Sequence, residues 1–176
     1  MDGSLIDTEH LWEVATYDVS ERIGRRVTPE IRTKCIGNTL RDTITICADF
    51  AGVEVTEELV ARESEFMETR VAQLIAEQGV SWRPGVKRLL SEIHAAELPI
   101  ILVTNRRRRV AVFCMVAMGR DKFTATVCGD EVPNGKPAAD PYLRGAALAG
   151  VTPDECLAME DSVTGVRSAI AAGCRV

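Results

Sequence analysis

The sequence predicts an α/β fold in which a mostly parallel sheet is covered by helices and interrupted near its start by an all-helical insertion. Three patterns carry that expectation. From about residue 80 onward, short apolar runs of strand type alternate with amphipathic helical segments, the rhythm of a parallel sheet. From Thr8 to about Gly79 the pattern is helical throughout, without strand signals. Acidic, hydroxyl and amide residues fall just past the expected strand ends, where open parallel sheets bind ligands. The expected division is a discontinuous core, 1–14 plus 80–176, and a helical cap, 15–79.

The cap opens with a helix over Glu9 to Arg22, punctuated by Gly24 and Pro29, and continues with one over Thr39 to Phe50. A third helix starts at Thr56-Glu57-Glu58, where a Thr cap and two acids complement the positive helix end. Leu59, Val60, Met67, Val71, Leu74 and Ile75 share one of its faces, and Gly79 closes it. The Gly37-Asn38-Thr39 stretch joins two cap helices and reads equally as a substrate-reading loop or a helix cap.

In the core, Pro84 opens a helix to about Glu97, and Pro99-Ile100-Ile101-Leu102-Val103 is a fully apolar, buried-type strand. There follow helix Arg107 to Met118, strand Ala125 to Cys128, helix Pro141 to Ala149, strand Cys156 to Met159 and helix Val163 to Ala172. Cys174-Arg175-Val176 has the character of a strand at its beginning.

Composition narrows the function. The 176 residues are 46% hydrophobic and 27% charged, ordinary for a globular domain with a small inserted subdomain. A net charge of −5 argues against a general nucleic-acid binder, which requires a basic surface. The longest apolar stretch, Val110 to Met118, is far short of the ~20 residues that cross a bilayer. Six cysteines without a Cys-x-x-Cys pair read as reduced core residues, and a cytoplasmic location is expected. Arg106 to Arg109 begin a helix and oppose its dipole; in an acidic chain they read as a solvated face with one arginine near the site.

The chemistry-bearing residues come in four groups. Asp2-Gly3-Ser4 stands at the start, Thr104-Asn105 ends the apolar strand, Gly135-Lys136-Pro137 forms a turn, and Glu160-Asp161-Ser162-Val163-Thr164-Gly165 follows the last long strand. Acids at both ends of the chain imply one metal site. Hydroxyl, amide, ammonium and carboxylates together suit phosphoryl transfer, where catalysis is mostly positioning and charge neutralisation.

In this order and strand context, the four groups resemble the motifs of the haloacid dehalogenase superfamily, of the kind with a helical cap after the first motif, such as phosphoglycolate phosphatases and β-phosphoglucomutases. The resemblance covers essentially the whole chain. It implies a Rossmann-like parallel sheet and a magnesium-dependent phosphatase of a small phosphorylated metabolite, acting through a phosphoaspartyl intermediate. It assigns Asp2 as acid and base and, through its carbonyl, a metal ligand. It assigns Thr104 and Lys136 to catalysis, Gly3 and Asn105 to substrate binding, and Glu160 and Asp161 to magnesium. An acid at Asp2 favours phosphate esters over haloacids.

Two departures from the pattern shape the expectations. The first Asp of the family's Asp-x-Asp motif, its nucleophile, would precede Met1. The central first strand that bears it is largely missing, so the flanking strands are expected to face an unfilled slot. The C-terminus also stops mid-element. The chain is therefore expected to be a fragment or a product with a misassigned start, inactive as written. A sugar phosphomutase and a non-catalytic binding remnant are the competing readings.

Overall fold

Helix signals in the sequence translate almost residue for residue. In the computed structural model, which describes residues 1–36 and 38–176, Thr8–Gly79 form one unit, and Met1–Asp7 with Val80–Val176 form another. The helical unit contains α1 (Glu9–Ile23), α2 (Pro29–Thr33), α3 (Leu40–Ala51) and α4 (Glu57–Gln78). Thr28, Thr39 and Thr56 cap α2, α3 and α4, each hydroxyl accepting from a main-chain N–H three residues on. Of the stretch Gly37-Asn38-Thr39, Gly37 lies outside the described residues; Thr39 is a helix cap.

Every fourth residue of α1, Leu11, Ala15, Val19 and Ile23, is buried. That stripe belongs to the core where α1 packs on α3 and α4, with Ile44, Cys47, Met67, Val71 and Ile75 also buried. Each such aliphatic side chain contributes roughly 1.5–3 kcal/mol. All of α1 falls in the helical unit, whereas the sequence assigned residues up to 14 to the core. The reason is that same packing.

The second unit starts with a tight turn over residues 1–6, in which Gly3 N–H donates to the Ile6 carbonyl at 2.8 Å. Strand β1 (Ile6–Asp7) pairs antiparallel with β2 (Ser81–Trp82), a short ribbon that the sequence pattern did not reveal. Two residues are too few for a visible alternation.

Helix α5 (Val86–Ala95) leads to β3 (Ile101–Val103), α6 (Arg108–Met118), β4 (Ala125–Val127), α7 (Asp140–Ala149) and α8 (Val163–Ala172). Strands β3 and β4 are parallel, with Leu102 opposite Thr126. Farther on, Leu157 makes a parallel bridge to Arg175, in place of the longer strand expected over Cys156 to Met159. Among the described residues, no strand joins the β3–β4 pair to residue 157. Leu157 and Met159 are 72% and 62% exposed. The core is thus a helix-rich α/β unit with a small parallel sheet.

Among the described residues, no helix is long and apolar enough to cross a membrane.

Candidate active site

Strand ends carry the polar residues because a strand's last peptide groups leave the ladder there, and side chains beyond it project into open space. Thr104 follows β3 directly; its N–H still donates to the Val127 carbonyl at 2.9 Å, which fixes its position. It is 6% exposed, and its hydroxyl accepts from the Arg106 N–H at 3.2 Å. Asn105, next in line, is bound to the main chain of Lys136 twice. Its Oδ1 accepts from the Lys136 N–H at 2.7 Å and its Nδ2 donates to the Lys136 carbonyl at 3.1 Å. This reciprocal pair pins the Gly135-Lys136 turn to the end of β3.

Lys136 points from that turn toward the strand ends. Its Nζ donates to the Val103 carbonyl at 3.1 Å and pairs with Glu160. The two side chains are 8% and 6% exposed, so this ion pair is nearly dry. Tyr142, one turn into α7, donates its hydroxyl to the same Glu160 oxygen, and Lys136 Nζ lies 5.1 Å from the ring centroid. Burial pushes the Glu160 carboxyl upward. The hydrogen bonds from Lys136 and Tyr142 and the lysine charge outweigh it, so its pKa is depressed. Burial, reinforced by the neighbouring carboxylate, pushes the Tyr142 phenol well up and keeps it a donor.

Glu160 and Asp161 precede α8, whose cap Ser162 accepts from the Gly165 N–H at 3.0 Å. A side chain at Gly165 would overlap the Glu160 carboxylate, its Cβ falling 2.0 Å from an oxygen. Glycine there lets the acid lie against the positive end of the helix. Asp161 reaches the first residues of the chain. Its Oδ1 accepts from Ser4 Oγ at 2.7 Å, and a Cβ on Gly3 would fall 1.8 Å from its Oδ2. Gly3 has φ +73, which glycine adopts without strain. Asp2 Oδ2 accepts from Arg106 Nε at 2.8 Å.

The structure thus brings Asp2, Gly3, Thr104, Asn105, Lys136, Glu160 and Asp161 to one region of one unit, although they span almost the whole sequence. The carboxylates are differently engaged there: Asp2 with Arg106, Glu160 with Lys136 and Tyr142, Asp161 with Ser4. Among the described residues, no group of three histidine, cysteine or acidic side chains converges on one metal position.

The sequence gives no role to two participants, Ser4 and Tyr142. Ser4 was quoted within its motif but given no role, and Tyr142 carries no signal beyond standing six residues after Lys136. Of the arginine run expected to be a solvated face with one member near the site, Arg106 is that member, and Arg108 departs from the solvated reading. Arg106 is 13% exposed at its side chain and paired with Asp2. Arg108 is held by Glu131 and by both the hydroxyl and the carbonyl of Thr126. The expected burden on the helix dipole is relieved by Asp130, whose Oδ1 accepts from the Arg108 N–H at 2.8 Å.

Known proteins are similar to this chain along its full length. The model of the haloacid dehalogenase-like hydrolase family matches residues 1–176. Hexitol phosphatase A of Escherichia coli (strain K12) is 31% identical over 100% of this chain and 78% of its own. The phosphoglycolate phosphatase of Chromobacterium violaceum is 30% identical over 99% and 79%. A β-phosphoglucomutase of Bacillus subtilis is 25% identical over 98% and 77%. The crystal structure of CbbY from Rhodobacter sphaeroides in complex with phosphate superposes with a TM-score of 0.82 at 25% identity, covering 99% of this chain and 81% of that one. The match of the family model along the whole length leads to one conclusion: the chain belongs to the haloacid dehalogenase-like hydrolase family.

Proposed function

We propose that this protein contributes the phosphate-handling machinery of a phosphatase acting on small phosphorylated metabolites, sugar phosphates among them. The observation that carries the reading is the convergence of Thr104, Lys136 and Asp161 with the Asp2-Gly3-Ser4 turn at the strand ends. The likeness to hexitol and phosphoglycolate phosphatases supports the substrate class.

Each residue has a role consistent with its contacts. Lys136, fixed by Asn105, Glu160 and the Val103 carbonyl, presents a positive charge to a phosphoryl group. Thr104 accepts from the Arg106 main chain, and its hydroxyl proton can be offered to a phosphoryl oxygen. The Asp2 carboxyl gives a proton to the leaving oxygen and later takes one from water, with Arg106 setting its orientation. Asn105 acts by holding Lys136 rather than through open donors of its own.

Magnesium fits the chemistry of the donors. Asp161 and the main-chain oxygen of Asp2 are hard ligands and would hold it, with Glu160 as the outer member of the set because Lys136 and Tyr142 engage it. When bound, the ion supplies charge neutralisation for the phosphoryl oxygens.

The nucleophilic carboxylate of the resemblance belongs two residues before Asp2, ahead of Met1. The experiment therefore compares this chain with a version extended at its start so that an Asp stands two residues before Asp2. Magnesium-dependent release of phosphate from p-nitrophenyl phosphate, then from hexitol phosphates and phosphoglycolate, is expected from the extended form. Lys136→Ala should lower it about 10²–10³-fold with the circular dichroism spectrum unchanged. A folded extended protein that carries Asp before Met1 yet releases no phosphate would sink the hydrolase reading. Dependence on a bisphosphate primer would instead identify a phosphomutase, the second reading, which the likeness to the Bacillus subtilis enzyme favours.

A further inference from the structure

The six cysteines do not all stand alone. The parallel bridge between Leu157 and Arg175 sets the register of two chain segments. Ala158 N–H donates to the Arg175 carbonyl at 2.7 Å, and Arg175 N–H donates to the Cys156 carbonyl at 3.1 Å. One residue back on both segments, Cys156 stands opposite Cys174, on a common face. Both pack in one apolar cluster, Cys174 with Ala158, Ala169 and Ala172 and Cys156 against them. Cys156 Sγ donates to the Thr152 carbonyl at 3.6 Å.

We infer that Cys156 and Cys174 are a thiol modification site, closing to a reversible disulfide under mild peroxide on the segment that leads into Glu160 and Asp161. Adjacent strands lie roughly 4.7–4.9 Å apart, within the Cα separation of about 4.4–6.8 Å that a disulfide tolerates. Cys156 is partly exposed, so a small oxidant reaches it. Two further cysteines, Cys35 and Cys47, lie inside the helical unit, where they are 6% and 0% exposed. Burial of both sulfurs limits the access of an oxidant, which makes that pair the slower one.

The chemistry balances with hydrogen peroxide as the oxidant. The Cys156 sulfur, as thiolate, attacks one peroxide oxygen; the O–O bond breaks and the departing hydroxide takes up the released proton as water. The Cys174 sulfur then attacks the resulting sulfenic sulfur. The S–S bond forms, the S–O bond breaks, and oxygen leaves as a second water with the Cys174 proton. Two thiols lose two electrons and one peroxide is reduced. The product closes a loop that contains Glu160, Asp161 and all of α8.

The test oxidises the folded chain with a few equivalents of hydrogen peroxide, removes the excess with catalase, alkylates free thiols and maps tryptic peptides without reduction. Peptides 145–167 and 168–175 should appear joined, with a loss of about 2 Da and of two of the six thiols, restored by dithiothreitol. Cys35→Ser should retain the link, and Cys156→Ser should lose it. Three outcomes would overturn the inference: a bond between Cys35 and Cys47 alone, Cys156 passing to sulfinic acid unlinked, or all six thiols surviving. The peptide map of the unmutated chain decides even if a variant fails to fold.

Discussion

Gly3 concentrates two demands at one residue. It takes a positive φ of +73, and it lets the Asp161 carboxylate come so close that a Cβ would fall 1.8 Å from Oδ2. Gly3→Ala must therefore strain the turn and push Asp161 away. The expected result is a loss of about a hundredfold in the phosphatase activity of the extended protein, since displacements near 1 Å cost about that much. The melting temperature should fall only modestly, because a strained alanine costs about 1 kcal/mol. An unchanged activity would mean that Asp161 does not need its observed position. At this scale the motif residues were legible, since their types are dictated by phosphate chemistry. The pairings of Arg106 with Asp2 and of Tyr142 with Glu160 were not, because these residues lie far apart in sequence and only folding sets them within hydrogen-bonding distance.

Among the elements, α6 is tied to the turn after β4 by Arg108 and Glu131, whose 2.6 Å bond joins residues on either side of the strand. The hydrogen bond from Arg108 holds the Glu131 carboxyl below its usual value, against the opposing effect of burial. A depressed folded pKa contributes stability that is present above the unfolded value of 4.5 and lost as pH falls through the folded one. Glu131→Gln should therefore leave the chain slightly less stable at pH 7 and flatten the decline in melting temperature below about pH 4.5. Identical acid limbs in both proteins would show that the pair contributes nothing. Both partners are 36% exposed at their side chains, so the effect is small. Element positions were legible for a simple reason. Thr caps, acidic first turns and apolar spacing act within one or two turns, and Thr56-Glu57-Glu58 opens α4 where those rules place it. The β1–β2 ribbon escaped because it is two residues long.

For the whole molecule, the division at Thr8 and Gly79 predicts that the helical unit carries its own core. Leu11, Val19, Ile44, Met67, Val71 and Ile75 are all within 1% of complete burial, and they lie inside it. Glu63 is equally buried, held by Arg22 at 3.0 Å and Arg62 at 2.8 Å, both from the same unit. Residues 8–79 expressed alone should give a helical far-ultraviolet spectrum and a cooperative thermal transition. A featureless, gradual melt would show that this core depends on residues outside the unit. The parallel-sheet unit has a sparser core at Leu157 and Met159, both of which are exposed.

The sequence by itself determined the α/β class, the helical insertion, nearly every helix and the four groups of phosphate-handling residues. Those depend on local periodicity, caps and residue chemistry, all of which act over short distances along the chain. Only the tertiary structure decided which groups meet: Asp2 with Arg106, Glu160 with Lys136 and Tyr142, Asp161 with Ser4, and Cys156 opposite Cys174. Such pairings depend on strand register and on the path of the turns, which bring together residues separated by up to 157 positions. Spacing along a chain carries no record of that geometry.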